Sequence, residues 1–117
     1  MRIALCNEVV AGLDFAAQAR LAARLGYAGL EVAPFTLDAE ALLRRFVPTG
    51  AIANVHLNDR NRRGPGQGGD RFAPVLRALR ETGYGGFCAV EPFDYHPDGP
   101  TAAARAIGYL QGVMESL

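Results

Sequence analysis

Two side chains at the ends of apolar segments, His56 and Glu91, are the best candidates for proton transfer or metal binding. As a β-strand, residues 53–58 alternate between an apolar face and a polar face that carries Asn54, His56 and Asn58. Glu91 ends an apolar run and precedes Pro92, so we expect it to be partly buried and to need a partner. We expect that partner to be His56, either directly or through a divalent ion such as Mn²⁺, Mg²⁺, Co²⁺ or Zn²⁺.

The segment that follows His56 is a polar loop rich in arginine and glycine. It contains Arg60, Arg62 and Arg63, then Gly64, Gly66 and Gly68 around Pro65. Glycine permits unusual backbone conformations, and arginine is suited to anions and polyols. Taken alone, the segment leaves two interpretations open: a ligand-binding loop beside a site histidine, or a solvated loop beside a structural histidine.

The residue types that are missing exclude several mechanisms. All 12 basic residues are arginine, which excludes a Schiff-base lysine and a P-loop lysine. The only serine is Ser116, the penultimate residue, which argues against a serine hydrolase. Cys6 and Cys88 match no metal-clip or redox spacing, and their apolar surroundings predict buried, reduced thiols. Carboxylates, two histidines, arginines and a bound metal remain as sources of chemistry.

Composition predicts one compact domain over residues 1–117. Half of the 117 residues are hydrophobic, which is enough for a core. The formal net charge is zero, which argues against nucleic acid or an anionic membrane as a partner. The apolar runs are too short for a membrane span, and no basic-then-apolar leader stands at the start, so we expect a soluble cytoplasmic protein.

Hydrophobic periodicity predicts four strands that alternate with four helices. The strands are expected at residues 2–6, 29–33, 52–57 and 87–91, and the helices at 15–25, 39–47, from Asp70 to Gly83, and from about Thr101. Asp14, Asp38 and Asp70 are the expected N-caps, and Gly26 and Gly83 the expected stops. Two similar turns, Gly26-Tyr-Ala-Gly29 and Gly83-Tyr-Gly-Gly86, support equivalent units. The predicted fold is α/β, a (βα)4 unit with a parallel sheet.

In such folds, ligands bind outside the carboxyl ends of the strands. Those ends carry Asn7 and Glu8, residues 31–35, residues 56–62 and residues 91–94. Glu31 either lines the pocket or faces a helix, because strand parity does not decide its side. Glu8 is either a pocket residue or a turn residue. His96 is interpreted as a loop histidine.

The segments His56-Leu-Asn-Asp-Arg-Asn-Arg62, Pro65-Gly-Gln-Gly-Gly-Asp-Arg-Phe72 and Val90-Glu-Pro-Phe93 resemble the seventh and eighth strand regions of one family. This is the family of xylose-isomerase-like sugar phosphate isomerases and epimerases, metal-dependent TIM barrels that include ketose 3-epimerases and hydroxypyruvate isomerases. Residues 2–35 are similar to its first two strands. The resemblance implies that His56 is a metal ligand, that Glu91 is both a metal ligand and one of two catalytic glutamates, and that Arg62 contacts a substrate oxygen.

The chain departs from this family in length. A TIM barrel has eight strands and about 250 residues, whereas this chain passes from the second strand directly to the seventh. The other catalytic glutamate and further metal ligands belong to the missing middle. Because four βα units leave two sheet edges exposed, we expect a C2 homodimer of half-barrels. In it, the fourth strand of one chain would meet the first strand of the other, and both His56/Glu91 pairs would face one cavity, where they could share a metal.

The function expected from the resemblance is that of a metal-dependent sugar or sugar-phosphate isomerase or epimerase, in a shortened and impaired form. It would move a proton between adjacent carbons through an enediolate, with Glu91 as acid and base. The alternative is a non-catalytic half-barrel scaffold, truncated or engineered, that folds as a homodimer. A metal-dependent endonuclease of the same superfamily is disfavoured by the zero net charge.

Overall fold

The computed structural model describes residues 1–33 and 38–117. Its four parallel strands form one sheet in the order β1-β2-β3-β4. The strands are β1 (Ala4–Cys6), β2 (Gly29–Val32), β3 (Ile52–His56) and β4 (Phe87–Ala89). The helices are α1 (Phe15–Leu25), α2 (Ala39–Phe46), α3 (Ala73–Glu81) and α4 (Gly99–Glu115), with short 3-10 helices at Asn7–Val10 and Val47–Thr49. The predicted (βα)4 arrangement is confirmed.

The predicted helix caps are only partly confirmed. Asp14 caps α1 by accepting a hydrogen bond from the backbone N–H three residues later, at 2.9 Å. Asp38 makes no side-chain cap bond, and the prediction that Asp70 caps α3 is wrong, because α3 is preceded by Phe72 and has no side-chain cap. Asp98, which was not predicted as a cap, accepts from the backbone N–H of Thr101 at 2.8 Å and starts α4.

The two similar glycine-tyrosine turns have the same geometry. Gly26 and Gly83 have positive φ angles of 89° and 67°, a conformation that glycine adopts without steric cost. After each, the backbone N–H of the tyrosine, Tyr27 or Tyr84, donates to the carbonyl five residues earlier at 3.0 Å. Each turn therefore ends one helix and directs the chain into the next strand in the same way.

The core lies between one face of the sheet and the four helices. Leu30 and Val32 of β2 and Val55 of β3 are almost completely buried there, at 1%, 0% and 0% exposure. Each helix contributes buried side chains to the same cluster: Phe15 and Ala22, Leu42 and Leu43, Val75, Leu76, Ala78 and Leu79, and Leu110. All four helices therefore pack on one side of the sheet.

A register shift divides β3 into two parts. Leu30 pairs with Ile52, but the next residue of β2, Glu31, pairs with Asn54. Ala53 is therefore an extra residue in β3, as in a β-bulge. A Cβ on the facing glycine, Gly29, would lie only 3.0 Å from the Cβ of Ala53, so the absence of a side chain there leaves room for the bulge.

The bulge decides which residues of β3 face the core. Ile52 and Val55 are both buried against the helices, although strict alternation would put them on opposite faces. Asn54 and His56 point to the other face of the sheet, together with Glu31. The predicted polar face of this strand is confirmed: it follows from alternation after Ala53, and the bulge adds Ile52 to the core face.

No helix among residues 1–33 and 38–117 covers the second face of the sheet. A broad hollow of about 1160 Å³ lies along it and is lined by residues that include Ala4, Glu31, Asn54 and Phe87. Phe87 is 85% exposed, and Ile3, just before β1, is 61% exposed. Both side chains line the hollow and leave apolar surface exposed there.

The two cysteines are free, but the prediction that both are buried is wrong for Cys88, which is exposed. Cys6 is half-buried at the end of β1. Burial raises the pKa of the Cys6 thiol, and the nearby carboxylates of Glu8 and Glu31 add to this effect. A thiol with a raised pKa is a weak nucleophile at neutral pH, so Cys6 is not suited to covalent catalysis.

Candidate functional site

The His56 ring lies between two carboxylates at the carboxyl ends of β2, β3 and β4. Its Nε2 is 2.9 Å from Oε1 of Glu31, and its Nδ1 is 3.6 Å from Oε2 of Glu91. The first distance is that of a hydrogen bond and the second is too long for one. Glu31, for which the sequence left two orientations open, is therefore the direct partner of His56.

Glu91 is less enclosed than predicted. Its side chain is 58% exposed, whereas those of His56 and Glu31 are 14% and 24% exposed. The prediction that Glu91 is partly buried is wrong because β4 is an edge strand of the sheet that the described residues form. Its carboxylate is therefore accessible to a ligand that approaches the sheet from the side opposite the helices.

Two asparagines tie neighbouring strand ends together through backbone atoms. The side chain of Asn58 accepts from the backbone N–H of Glu91 at 2.8 Å and donates to its carbonyl at 2.6 Å. Asn7, after β1, accepts from the backbone N–H of Ala33, after β2, at 2.8 Å. Asn58 is 5% exposed and Asn7 0% exposed. These bonds extend the sheet beyond its ladder, and Asn58 fixes the main chain that carries Glu91.

Arg62 occupies a constrained position in the loop after β3. Its φ angle is 70°, which is uncommon for a residue other than glycine. Its carbonyl accepts from the backbone N–H groups of Phe93 and Asp94 at 2.8 and 3.0 Å, and its guanidinium lies 5.6 Å from the centre of the Phe93 ring. The loop after β3 is therefore bonded to the loop after β4, which positions Arg62.

Arg62 lines a pocket of about 270 Å³ together with Glu8, Asn58, Asp59, Arg60 and Phe93. Arg60 is paired with Asp70 at 2.7 Å, and Arg63 lies 3.8 Å from Asp94. Within residues 1–33 and 38–117, Arg62 has no carboxylate at ion-pair distance. Of the three arginines in this loop, it is the one whose guanidinium remains available to a ligand.

The base of this loop contains a carboxyl pair that the sequence did not reveal. Asp59 is 1% exposed, and its Oδ1 accepts from the backbone N–H of Asp70 at 3.0 Å. Burial raises the pKa of Asp59, and the adjacent Asp70 carboxylate adds to the effect. Burial would also raise the pKa of Asp70, but hydrogen bonds from the backbone and guanidinium of Arg60 outweigh it and lower that pKa. The two neighbouring carboxyl groups are therefore shifted in opposite directions, with the pKa of Asp59 raised and that of Asp70 lowered.

This arrangement predicts a pH-dependent stability. Because the folded-state pKa of Asp59 is raised, its stabilising contribution is complete below the ordinary carboxyl value and is lost as the pH rises through the raised pKa. The contribution of Asp70 has the opposite pH dependence. Because its pKa is lowered, it stabilises the fold above the ordinary carboxyl value, and this stabilisation is lost as the pH falls through the lowered pKa. We expect Asp59→Asn to remove the loss at higher pH, since an amide keeps an oxygen to accept from the backbone N–H of Asp70 and does not ionise.

The measurement is thermal unfolding of the wild type and Asp59→Asn from pH 4 to pH 8. The melting temperature of the variant should stay level with or above that of the wild type and change less over this range. Asp94→Asn, an exposed carboxylate of the next loop, serves as the control. A variant that loses stability equally at every pH would contradict the raised pKa of Asp59.

The donors around His56 do not complete a metal site in one copy of the chain. In the part of the chain that the structure describes, no group of three or more histidine, cysteine, aspartate or glutamate side chains is arranged to hold a metal ion. Nδ1 of His56 and the carboxylate of Glu91 supply two donors, and Nε2 is engaged by Glu31. Divalent ions in proteins have four or more ligands, so the residues of one copy do not fit a resident ion.

Other polar residues at this edge are less central. Glu8 lines the pocket of Arg62 and receives a 3.7 Å contact from the thiol of Cys6. His96 is 81% exposed and lies 3.3 Å from Asp94, as expected for a loop histidine. Pro34 and Phe35, which the sequence placed at the end of the second strand, lie outside the described residues.

Comparisons with protein-family models and with curated proteins find no match to this chain. The case for a function therefore depends on the residues and their geometry. Among the described helices, none combines the length and apolar character that a membrane crossing requires.

Proposed function

We propose that this chain is a shortened isomerase or epimerase of a sugar or sugar phosphate, which moves a proton between neighbouring carbons of a hydroxycarbonyl compound. The observation that carries the proposal is the convergence of Glu31, His56 and Glu91 at the carboxyl ends of three adjacent strands. The resemblance of the segments around His56 and Glu91 to sugar isomerases supports the same chemistry.

In this proposal Glu91 is the acid and base. Its exposed carboxylate takes a proton from the carbon next to a carbonyl, and the protonated Glu91 delivers it to the adjacent carbon of the resulting enediolate on the same face. In epimerisation, the proton on the opposite face would come from a second acid such as water. Arg62 contacts a substrate oxygen or a phosphate group, for which a guanidinium is well suited. Asn58 keeps the Glu91 backbone in place during the transfer.

A divalent ion is the cofactor that the resemblance implies. Such an ion would supply charge stabilisation at the substrate oxygens. Since one copy offers only His56 and Glu91, any ion held by this protein needs donors from a second copy or from the substrate. Metal analysis of the purified protein, with His56→Ala as the comparison, tests this: metal that is bound at a fixed ratio and lost in the variant would support it.

The reaction is tested by hydrogen exchange with solvent. A panel of aldoses, ketoses, their phosphates and hydroxypyruvate is incubated in D₂O with the protein, with and without Mn²⁺, and followed by NMR. Deuterium should enter the carbon next to the carbonyl of at least one compound faster than in buffer. If the folded protein exchanges none of them, the proposed reaction is wrong.

The second candidate is a half-barrel scaffold that completes itself by pairing with another copy. The observation that favours it is the open sheet, which has helices on one side only and unpaired strands, β1 and β4, at its two edges. Beside β4, a groove of about 470 Å³ is lined largely by apolar residues that include Val90, Tyr95, Ala103 and Ile107. Two four-stranded sheets joined edge to edge contain the eight strands of a closed barrel.

The direction of the backbone N–H and C=O groups of β4 identifies the residue through which this strand would bond to a second copy. The backbone N–H of Leu57 donates to the carbonyl of Ala89 at 2.8 Å, so the backbone groups of Ala89 face β3. Because successive residues of a strand present these groups to alternate sides, those of Cys88 face the open edge. A second copy whose β1 lies along this edge would bond to Cys88.

We therefore expect the wild type to have the mass of two 12.5 kDa chains in light scattering, and Cys88→Pro to shift it towards one chain. Proline removes the outward N–H without touching the bonds to β3. Cys88→Ala, which keeps that N–H, is the matched control and should remain a dimer. A wild type with the mass of one chain would refute the association.

A further inference from the structure

The contact between Glu31 and the His56 ring determines which ring nitrogen carries a hydrogen. Oε1 of Glu31 lies 2.9 Å from Nε2 and also accepts from the side-chain amide of Asn54 at 2.5 Å. An ionised carboxylate has no hydrogen to donate. At this distance Nε2 is therefore the protonated nitrogen, and the amide of Asn54 keeps the carboxylate in the accepting position.

We propose that Glu31 is a positioning residue, which holds His56 with its hydrogen on Nε2 and leaves Nδ1 as a bare acceptor beside Glu91. The proposal deepens the proposed function and depends on it only for its catalytic consequence. A carboxylate that fixes the tautomer and orientation of a histidine is a recurrent device in enzymes. Here the device acts between adjacent strands, because Glu31 pairs with Asn54, which lies two residues before His56.

The bare nitrogen defines what the site accepts. Nδ1 and the Glu91 carboxylate are 3.6 Å apart, too far for a direct hydrogen bond. A hydroxyl between them can donate its one hydrogen to Nδ1 and, once Glu91 has taken up a proton, accept from Glu91. His56 therefore accepts a hydrogen bond from a substrate hydroxyl, rather than donating one to a carbonyl. The preferred substrate carries that hydroxyl next to the carbon at which Glu91 acts.

The contact between Glu31 and His56 depends on the strand order of this chain. Glu31 lies on β2 and His56 on β3, and these strands are hydrogen-bonded neighbours. The same two segments resemble the second and seventh strands of a longer barrel, which are not adjacent. Shortening the chain thus creates a carboxylate partner for His56 that the resemblance by itself does not imply.

The test is NMR of the ¹⁵N-labelled full chain at a pH above 8, where imidazole is ordinarily neutral. The chain has only two histidines, and His96→Gln assigns the second ring. We expect an Nε2-bound proton of His56 that is protected from solvent exchange and shows a nuclear Overhauser contact to the Glu31 side chain, with Nδ1 unprotonated. A wild-type ring with its hydrogen on Nδ1 would overturn the proposal.

Variants separate positioning from a general structural effect. In Glu31→Gln, the amide can either donate or accept, so the fixed tautomer should be lost, whereas Glu8→Gln, at the neighbouring strand end, should leave it unchanged. If Glu31→Gln does not fold, Asn54→Ala tests the same contact by loosening the carboxylate. An unchanged His56 spectrum in a folded Glu31→Gln protein would also overturn the proposal.

Kinetics give a separate readout. Where the wild type catalyses exchange, kcat of Glu31→Gln should fall about 10–100-fold with a smaller change in KM, as is typical for partners of a site histidine. If no compound is exchanged, the proposed function fails while the NMR result still decides the role of Glu31. A folded Glu31→Gln protein with unaltered kcat would contradict the catalytic consequence.

Discussion

Replacement of Glu91 by glutamine is expected to lower kcat for proton exchange by about 100–10,000-fold, the usual contribution of a general acid or base. The amide has the size of the carboxylate but cannot take up a proton. The main chain should not move, because the hydrogen bonds of Asn58 are made to the backbone of residue 91 and not to its side chain. The loss should therefore appear in kcat, with little change in folding.

Solvent deuterium exchange at saturating substrate measures this effect. Glu115→Gln provides the matched control, since it makes the same chemical change at an exposed position at the end of α4 and should leave the rate unchanged. A Glu91→Gln protein that keeps more than a tenth of the wild-type rate would show that another group transfers the proton. The His56 ring would then be the next residue to replace.

Replacement of Asn58 by leucine should produce the largest loss of stability, about 2–4 kcal/mol, because two polar backbone groups lose their buried partners at once. The backbone N–H and C=O of Glu91 receive both bonds of the Asn58 side chain, and leucine of similar size can make neither. The end of β4 would then separate from β3, so exchange activity should fall together with stability.

Urea denaturation at fixed protein concentration measures the change, as a shift of the midpoint at constant slope. Asn58→Asp keeps the acceptor and loses the donor, so it should lie between the wild type and the leucine variant. The control is Asn61→Leu, which removes an asparagine from the exposed part of the same loop, where its bonds are solvent-accessible. Equal losses of stability in Asn58→Leu and Asn61→Leu would show that the hydrogen bonds between Asn58 and the Glu91 backbone stabilise the fold no more than those of an exposed loop asparagine.

The sequence predicted the order of elements because each carries a local signal. The spacing of apolar residues identified the four helices, and glycine after α1 marked an end that the structure confirms with a left-handed backbone at Gly26. Asp70 was misassigned because its interactions are not local. Its position just before α3 suggested a helix cap, but its carboxylate pairs with Arg60, ten residues earlier and across a loop.

The site was predictable in its members but not in its contacts. Alternation along β3 placed His56 on a polar face, and the apolar run before Glu91 placed that residue at a strand end. The partner of His56 could not be derived, because the side of Glu31 depends on pairing between strands. The exposure of Glu91 was missed because its burial was inferred from the apolar run before it, although the same sequence predicted an open sheet edge at the fourth strand.

The bulge at Ala53 gives β3 one residue more than strict pairing with β2 requires. Deleting Ala53 would leave the pairs Leu30–Ile52, Glu31–Asn54 and Val32–Val55 as they are, so Asn54 and His56 would keep their side of the sheet. Deleting Val55 instead would turn the imidazole towards the helix-packed layer. The strand can therefore lose one residue at the bulge but not after it, and a search for descendants of this chain should accept a gap at residue 53 and penalise a gap between residues 54 and 56.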